Sequence, residues 1–398
     1  MAPLAEDPAL PAALQRVSRA AISVGAALVL VSAGVAFASG GTEAFHRSYL
    51  AGFVFWNGIA LGCLAVLGLQ YLTGGAWGIA IRRLLEAGTR TLPLMAILFL
   101  PVAIGLRHVY VWSRPGAMAS DELLRKKALY LNETFFIERA VLYFVLWLGL
   151  AWALNRWSLA QDASPGDKAV TRRLQRAGAA GLLIYALTVT FASIDWVMSL
   201  EPRWFSTMYG VIFMVSQALG AMALVIAALL LLARYKPLSD FLTPAHFHDL
   251  GKMLFAFVMI WSYVSFSQYL IIWSGNLPEE IPWYLARFRG GWGWIGLLVL
   301  LFQFLLPFLL LLSRAANRNP RLLITAAAMV VAVRFVDVLW LILPAFSPGH
   351  FVIRWTDLTV PIGIGGLWLA VFAAQLTRRP LLPQGDPDFA EALAHGRH

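Results

Sequence analysis

The chain has 398 residues, 60% of them hydrophobic and only 13% charged, with a mean hydropathy of +0.72 and a formal net charge of +10. A soluble globular domain carries about 25% charged residues, so the composition excludes a water-soluble fold and indicates an integral membrane protein. The sequence pI near 10 is not a nucleic-acid signal, because no basic domain stands outside the apolar stretches.

A helix of about 20 apolar residues crosses the ~30 Å hydrocarbon core with its backbone groups satisfied internally. Ten such stretches follow one another: Ala20–Ala38, Ser48–Leu72, Thr91–Leu106, Phe135–Leu154, Ala177–Met198, Met208–Leu232, Met253–Trp273, Trp292–Leu312, Leu322–Leu343 and Leu358–Leu376. The third is short. The first is too long for a signal-peptide core and is expected to be retained as a helix. The tails and loops are too short for a soluble core, so residues 1–398 read as one all-α, polytopic membrane domain. Of the 31 Lys and Arg residues, 19 lie on the side that holds the N-terminus and 10 on the other. The positive-inside trend then places both termini in the cytoplasm of a bacterial inner membrane.

Cofactor ligands are scarce. The single cysteine, Cys63, cannot build an iron–sulfur cluster or a C-x-x-C-H haem attachment. The seven histidines are expected in loops or tails, which leaves no facing pair for a haem and no metal site. Any electron carrier is expected to be dissociable or to belong to a partner.

Two connections on the side opposite the termini stand out. Asp121–Tyr130 has helical spacing and is expected to lie along the interface or to dock a partner. Ser274–Gly291 gathers Glu279, Glu280, Trp283, Tyr284, Arg287 and Arg289; its aromatics suit an interfacial belt.

Charged residues inside the spans are costly and mark candidate functional sites. Arg334 and Asp337 lie three apart on the ninth span, on nearly one face. Asp195 lies one turn from the far end of the fifth span. Glu138 and Arg139 open the fourth. All five fall at mid-depth or towards the face opposite the termini, and none is expected in the cytoplasmic half. Arg334 is expected to pair with Asp337 or, across helices, with Asp195. Glu138 reads as an anchor that snorkels outward. Ser262, Ser265 and Gln268 form a polar stripe on the seventh span. Asn57, Gln217 and Gln303 place amides mid-membrane, where each can bond a neighbouring helix. Together these residues suggest a wet interior and a proton path or polar site made of Asp195, Arg334, Asp337, Arg139, Glu138, Ser265 and Gln268. Asp195-Trp196 and Asp337 with Trp340 form a weak echo between spans two to five and six to nine, as in a parallel repeat.

Three stretches carry a family resemblance: KALYLNETFFIER at Lys127–Arg139, SIDWVMSLEPRWFSTMYG at Ser193–Gly210, and HDLGKMLFAFVMIWSYVSFSQYLIIWSGNLPEEIPWY at His248–Tyr284. They resemble the ActF-type membrane subunit of bacterial alternative complex III, a quinol:cytochrome c oxidoreductase, within the NrfD/polysulfide-reductase membrane-subunit superfamily. The resemblance implies two four-helix bundles, spans two to five and six to nine, flanked by the first and last helices. It implies docking against multihaem cytochrome c, iron–sulfur and NrfD-like partner subunits that hold the redox centres, and contact with quinone or quinol. It also implies a contribution to proton conduction. Quinol-oxidising relatives pair a histidine with an aspartate near the outer face; Asp195 stands at that aspartate, with Arg139 in the histidine's region. The chain is therefore expected to be a non-catalytic or quinone-contacting subunit of a respiratory redox complex. A stand-alone secondary transporter and a purely structural scaffold subunit are the alternatives.

Overall fold

The computed structural model describes residues 7–395. Among them are ten helices long and apolar enough to span a membrane, and no β-strand. They are α1 Ala9–Ala38, α2 Thr42–Thr73, α3 Arg82–Ile104, α4 Glu133–Ala163, α5 Lys168–Leu200, α6 Tyr209–Leu232, α7 Pro244–Gly275, α8 Trp292–Leu312, α9 Pro320–Phe346 and α10 Thr356–Leu376. An even number of crossings returns the chain to the face it started from; we call this the terminal face and the other the far face.

Helix α2 is the axis of the molecule. Its most apolar window is 94% buried, against 17% for α1. It packs on α3, α5, α6 and α10. Small residues permit this: a Cβ on Gly62 would lie 2.0 Å from the Gln217 carbonyl oxygen of α6, so only glycine allows the two backbones to meet there. Helix α1 leans chiefly on α10, where Gly25 approaches Gly363 so closely that a Cβ would stand 2.7 Å from the Gly363 oxygen. The Ser32 and Thr359 hydroxyls bond across the same seam at 2.9 Å. The rest of α1 presents Leu30, Val31 and Phe37 outward, as a lipid-facing helix does. On the other side of α2, α6 packs against α7 and α9, and α8 packs against α9.

Prolines shape two spans. Pro93 and Pro101 fall where α3 divides into shorter helical pieces, because proline lacks an N–H and crowds the preceding turn. Pro307 follows a π-helical stretch, Leu300–Leu305, that contains the buried Gln303.

The structure corrects three expectations. Span three begins at Arg82, not Thr91, because its first two turns are charged yet buried. The connecting segment expected to be helical over Asp121–Tyr130 is helical only over Glu122–Lys126; the Asp121 side chain caps that short helix, and Asn132 then caps α4. His46, His246 and His248 lie within helices α2 and α7, not in loops. His46 stacks face to face on His108 at 5.1 Å, so the two rings present faces to each other, not nitrogens.

Candidate functional site

The far-face end of α4 and α5 holds a fully buried carboxylate that accepts three side-chain hydrogen bonds. Arg139 and Tyr143 lie four apart on α4, and so on one face. That face meets the last turn of α5, where Asp195 is fully buried. Arg139 Nη2 and Nε donate to the two Asp195 oxygens at 2.8 and 2.9 Å. The Tyr143 hydroxyl donates to Asp195 Oδ2 at 2.8 Å, and Arg139 Nη1 donates to the Tyr130 carbonyl at 3.1 Å. The guanidinium lies against two mutually perpendicular rings, 3.9 Å from the Tyr130 centroid and 4.2 Å from that of Phe135. A forked, ring-stacked arginine is the arrangement that lets a carboxylate sit in a low-dielectric interior. Glu138, next along α4, is exposed, in keeping with a side chain that reaches outward.

Tyr130 is the near wall of an apolar groove of about 570 Å³ that opens on the far-face side. Leu131, Ile194, Met198, Trp204 and Phe205 line it, with Lys127 at its rim. The Lys127 ammonium donates to the Pro202 carbonyl at 2.7 Å, and burial lowers its pKa below the ordinary lysine value. Burial, and then the Asp195 charge, push the Tyr130 phenol up.

Arg334 and Asp337 form a separate pair. They bond each other within α9, with 6% and 4% of their surface exposed; neither touches Asp195. The Arg334 stem passes Gly220 of α6 at ordinary contact distance, a Cβ there lying 3.9 Å from Arg334 Cγ. Gln268 belongs to a third group near the far face. It accepts from Ser206 Oγ at 3.0 Å and donates to the Tyr284 hydroxyl at 3.4 Å. Ser265 is half-buried one turn away on α7. The seven residues expected to share one site therefore fall into three groups, plus the exposed Glu138.

Sequence reasoning missed several buried charges. Arg47 donates to Asp357 at 2.9 Å between α2 and α10. Arg287 donates to Glu201 at 2.7 Å and to the Leu341 carbonyl at 2.7 Å. The largest omission lies at the terminal face, where no buried charge was expected. Glu86 is fully buried and accepts from Arg83 at 2.7 Å, Arg379 at 2.9 Å and Ser158 at 2.5 Å. Arg82 bonds Asp386 and Gln161, and Arg83 bonds Asp162. Arg82, Arg83 and Arg379 are among the 19 cations counted on the side of the N-terminus. They fasten the segment after α10 to α3 and α4, and Leu381, Leu382 and Phe389 of that segment join the core. The i,i+3 and i,i+4 spacing of Arg83 and Arg82 to Glu86 was the available signal.

Among the described residues, no group of three or more His, Cys, Asp or Glu could hold a metal ion. The chain matches no protein-family model and no curated protein.

Proposed function

We propose that this chain is a membrane subunit of a respiratory quinol:electron-acceptor oxidoreductase complex, similar to alternative complex III, and that it carries protons towards the periplasm past Asp195. The observation that supports this reading is the Arg139–Asp195–Tyr143 cluster standing directly behind an apolar groove at the far face. The charge bias assigns the terminal face to the cytoplasm, so the groove and Asp195 lie on the side where quinol oxidation releases protons. A groove with apolar walls and one tyrosine between it and a buried carboxylate suits a quinol ring. Oxidation of one quinol yields a quinone, two protons and two electrons. The electrons pass to iron–sulfur or haem centres on partner subunits. The protons pass by Tyr130 to the polar cluster around Asp195, and then outward.

The test uses the intact complex. Asp195→Asn keeps size and removes the titrating group; proton release per electron is expected to fall while haem content stays unchanged. Leu131→Trp fills the groove and is expected to raise the KM for quinol. Unchanged proton release and unchanged quinol kinetics in the two variants refute the reading.

One observation favours a scaffold role instead: the buried charges Arg47, Asp357, Arg139, Asp195, Arg334 and Asp337 each already have an immediate partner. Under that reading, replacing Arg139 with Met and Asp195 with Leu together leaves turnover intact. Under the proton-path reading it does not.

A further inference from the structure

The two ion pairs of the interior, Arg139–Asp195 and Arg334–Asp337, have no direct contact. What lies between them is a pair of small cavities on either side of Gln217. One, of about 20 Å³, is lined by Ser216, Gln217 and Arg334. The other, of about 10 Å³, is lined by Asn57, Ser193, Trp196 and Gln217. A water needs roughly 10–15 Å³ for its centre and two to four polar partners.

Three polar atoms around these cavities are without partners among the described residues. Asn57, Trp196 and Ser216 are 2%, 5% and 3% exposed. Asn57 Oδ1, Trp196 Nε1 and Ser216 Oγ are all buried without a hydrogen-bond partner among the described residues. Each such atom costs about 1–3 kcal/mol if left dry. Their chemistry is complementary: Trp196 Nε1 can only donate, Asn57 Oδ1 can only accept, and Ser216 does either. The Tyr185 hydroxyl donates to Gln217 Oε1 at 2.9 Å, which leaves the Gln217 amide nitrogen free to donate into the space between them.

We infer that the junction of α2, α5, α6 and α9 is a two-water site. One water is held by Asn57 Oδ1, Trp196 Nε1 and the Gln217 amide; the other by Ser216 Oγ, Arg334 and the same amide. Gln217 is the positioning residue between them. Gly58 fixes that position, because a Cβ there would lie 3.2 Å from Gln217 Cγ. The waters give a hydrogen-bonded bridge from Arg334 to Trp196, the neighbour of Asp195 in sequence. The bridge ends at Trp196, whose indole N–H only donates and so passes no proton on; the water sites stand independently of the proton-path reading.

The experiment is X-ray radiolytic footprinting of the purified full chain in ¹⁸O-labelled water, read by mass spectrometry. Bound water generates hydroxyl radicals in place, so Trp196 and Phe213, which line the cavities, are expected to incorporate ¹⁸O several-fold faster than the comparably buried Trp261 and Phe144. Asn57→Leu, which removes the acceptor and fills the smaller cavity, is expected to bring Trp196 down to the Trp261 rate. Trp196 and Phe213 labelling no faster than those controls in the unmodified chain overturns the inference, whether or not the variant folds. The two readings separate cleanly: labelled cavities with Asp195→Asn proton release unchanged refute the proton path alone, and altered proton release with unlabelled cavities refutes the water site alone.

Discussion

Arg139 and Asp195 meet as a two-pronged pair, with Nη2 and Nε of the guanidinium on the two carboxylate oxygens at 2.8 and 2.9 Å, and Tyr143 donates a third bond. Removing one member of a buried pair leaves an uncompensated charge at a cost of about 3–5 kcal/mol, whereas exchanging both for apolar groups is often neutral. Asp195→Leu alone is therefore expected to lower the thermal unfolding midpoint in detergent strongly. Arg139→Met combined with Asp195→Leu is expected to recover most of that loss. Equal destabilisation by the single and double variants would show that the pair is not an energetic unit.

Glu86 is the hub of the terminal face. Glu86→Gln keeps its shape but leaves Arg83 and Arg379 facing a neutral amide, with an expected loss of about 3–5 kcal/mol. Arg379 is the link to the segment that follows α10, so limited proteolysis should cut between Thr377 and Asp388 faster in this variant and in Arg379→Ala. Protection equal to that of the unmodified chain would mean that Leu381, Leu382 and Phe389 hold the segment without the charges.

Close approach at Gly25 and Gly363 holds α1 on α10. The Ser32 and Thr359 hydroxyls are 2.9 Å apart, so cysteines placed there are expected to form a disulfide on mild oxidation. Gly363→Leu inserts bulk where a Cβ would already lie 2.7 Å from Val29. Overpacking of this kind costs about 1–3 kcal/mol, and the Ser32→Cys/Thr359→Cys cross-link should then form slowly or not at all. An undiminished cross-link would show that α1 is held elsewhere.

Asp121 gives a pH-dependent element outside the spans. Desolvation pushes its carboxyl up, but the Leu123 and Leu124 backbone N–H groups and Arg203 outweigh this and hold the pKa below the ordinary 3.8. A depressed carboxyl contributes its stabilisation above the unfolded value and loses it as pH falls through the folded value. The helix Glu122–Lys126 should keep its hydrogen-exchange protection, corrected for intrinsic rates, at pH 5 and lose it progressively at pH values below 3.8. In Asp121→Asn the pH dependence should vanish. A loss centred above the ordinary carboxylate range would contradict the assignment.

Much of the architecture was legible because hydropathy acts locally. Ten runs of apolar residues become ten helices, since lipid offers backbone groups no partner outside their own segment. The errors arose where charge compensates charge. Arg82, Arg83 and Glu86 break the apolar pattern, so the apolar run starts only at Thr91, yet they remain buried because Asp386 and Asp162 from other segments complete the charge pairing. Arg47 and Asp357 each fall one residue outside the apolar runs Ser48–Leu72 and Leu358–Leu376 for the same reason, although both are buried. Within α9, the Arg334–Asp337 pair was legible because both members lie on one helix, three residues apart.

Sequence alone therefore determined that this is a ten-helix membrane protein and that Asp195, Arg139, Arg334 and Asp337 lie within its spans. Tertiary structure decided which of them meet. Asp195 belongs to Arg139 and Tyr143 of the neighbouring helix, Arg334 belongs to Asp337, and the amides of Asn57 and Gln217 fill the space between. The physical reason is one of range. Burial in lipid is a property of about 20 consecutive residues, whereas pairing between helices depends on their rotation and separation, set here by glycines such as Gly62 at which two backbones touch.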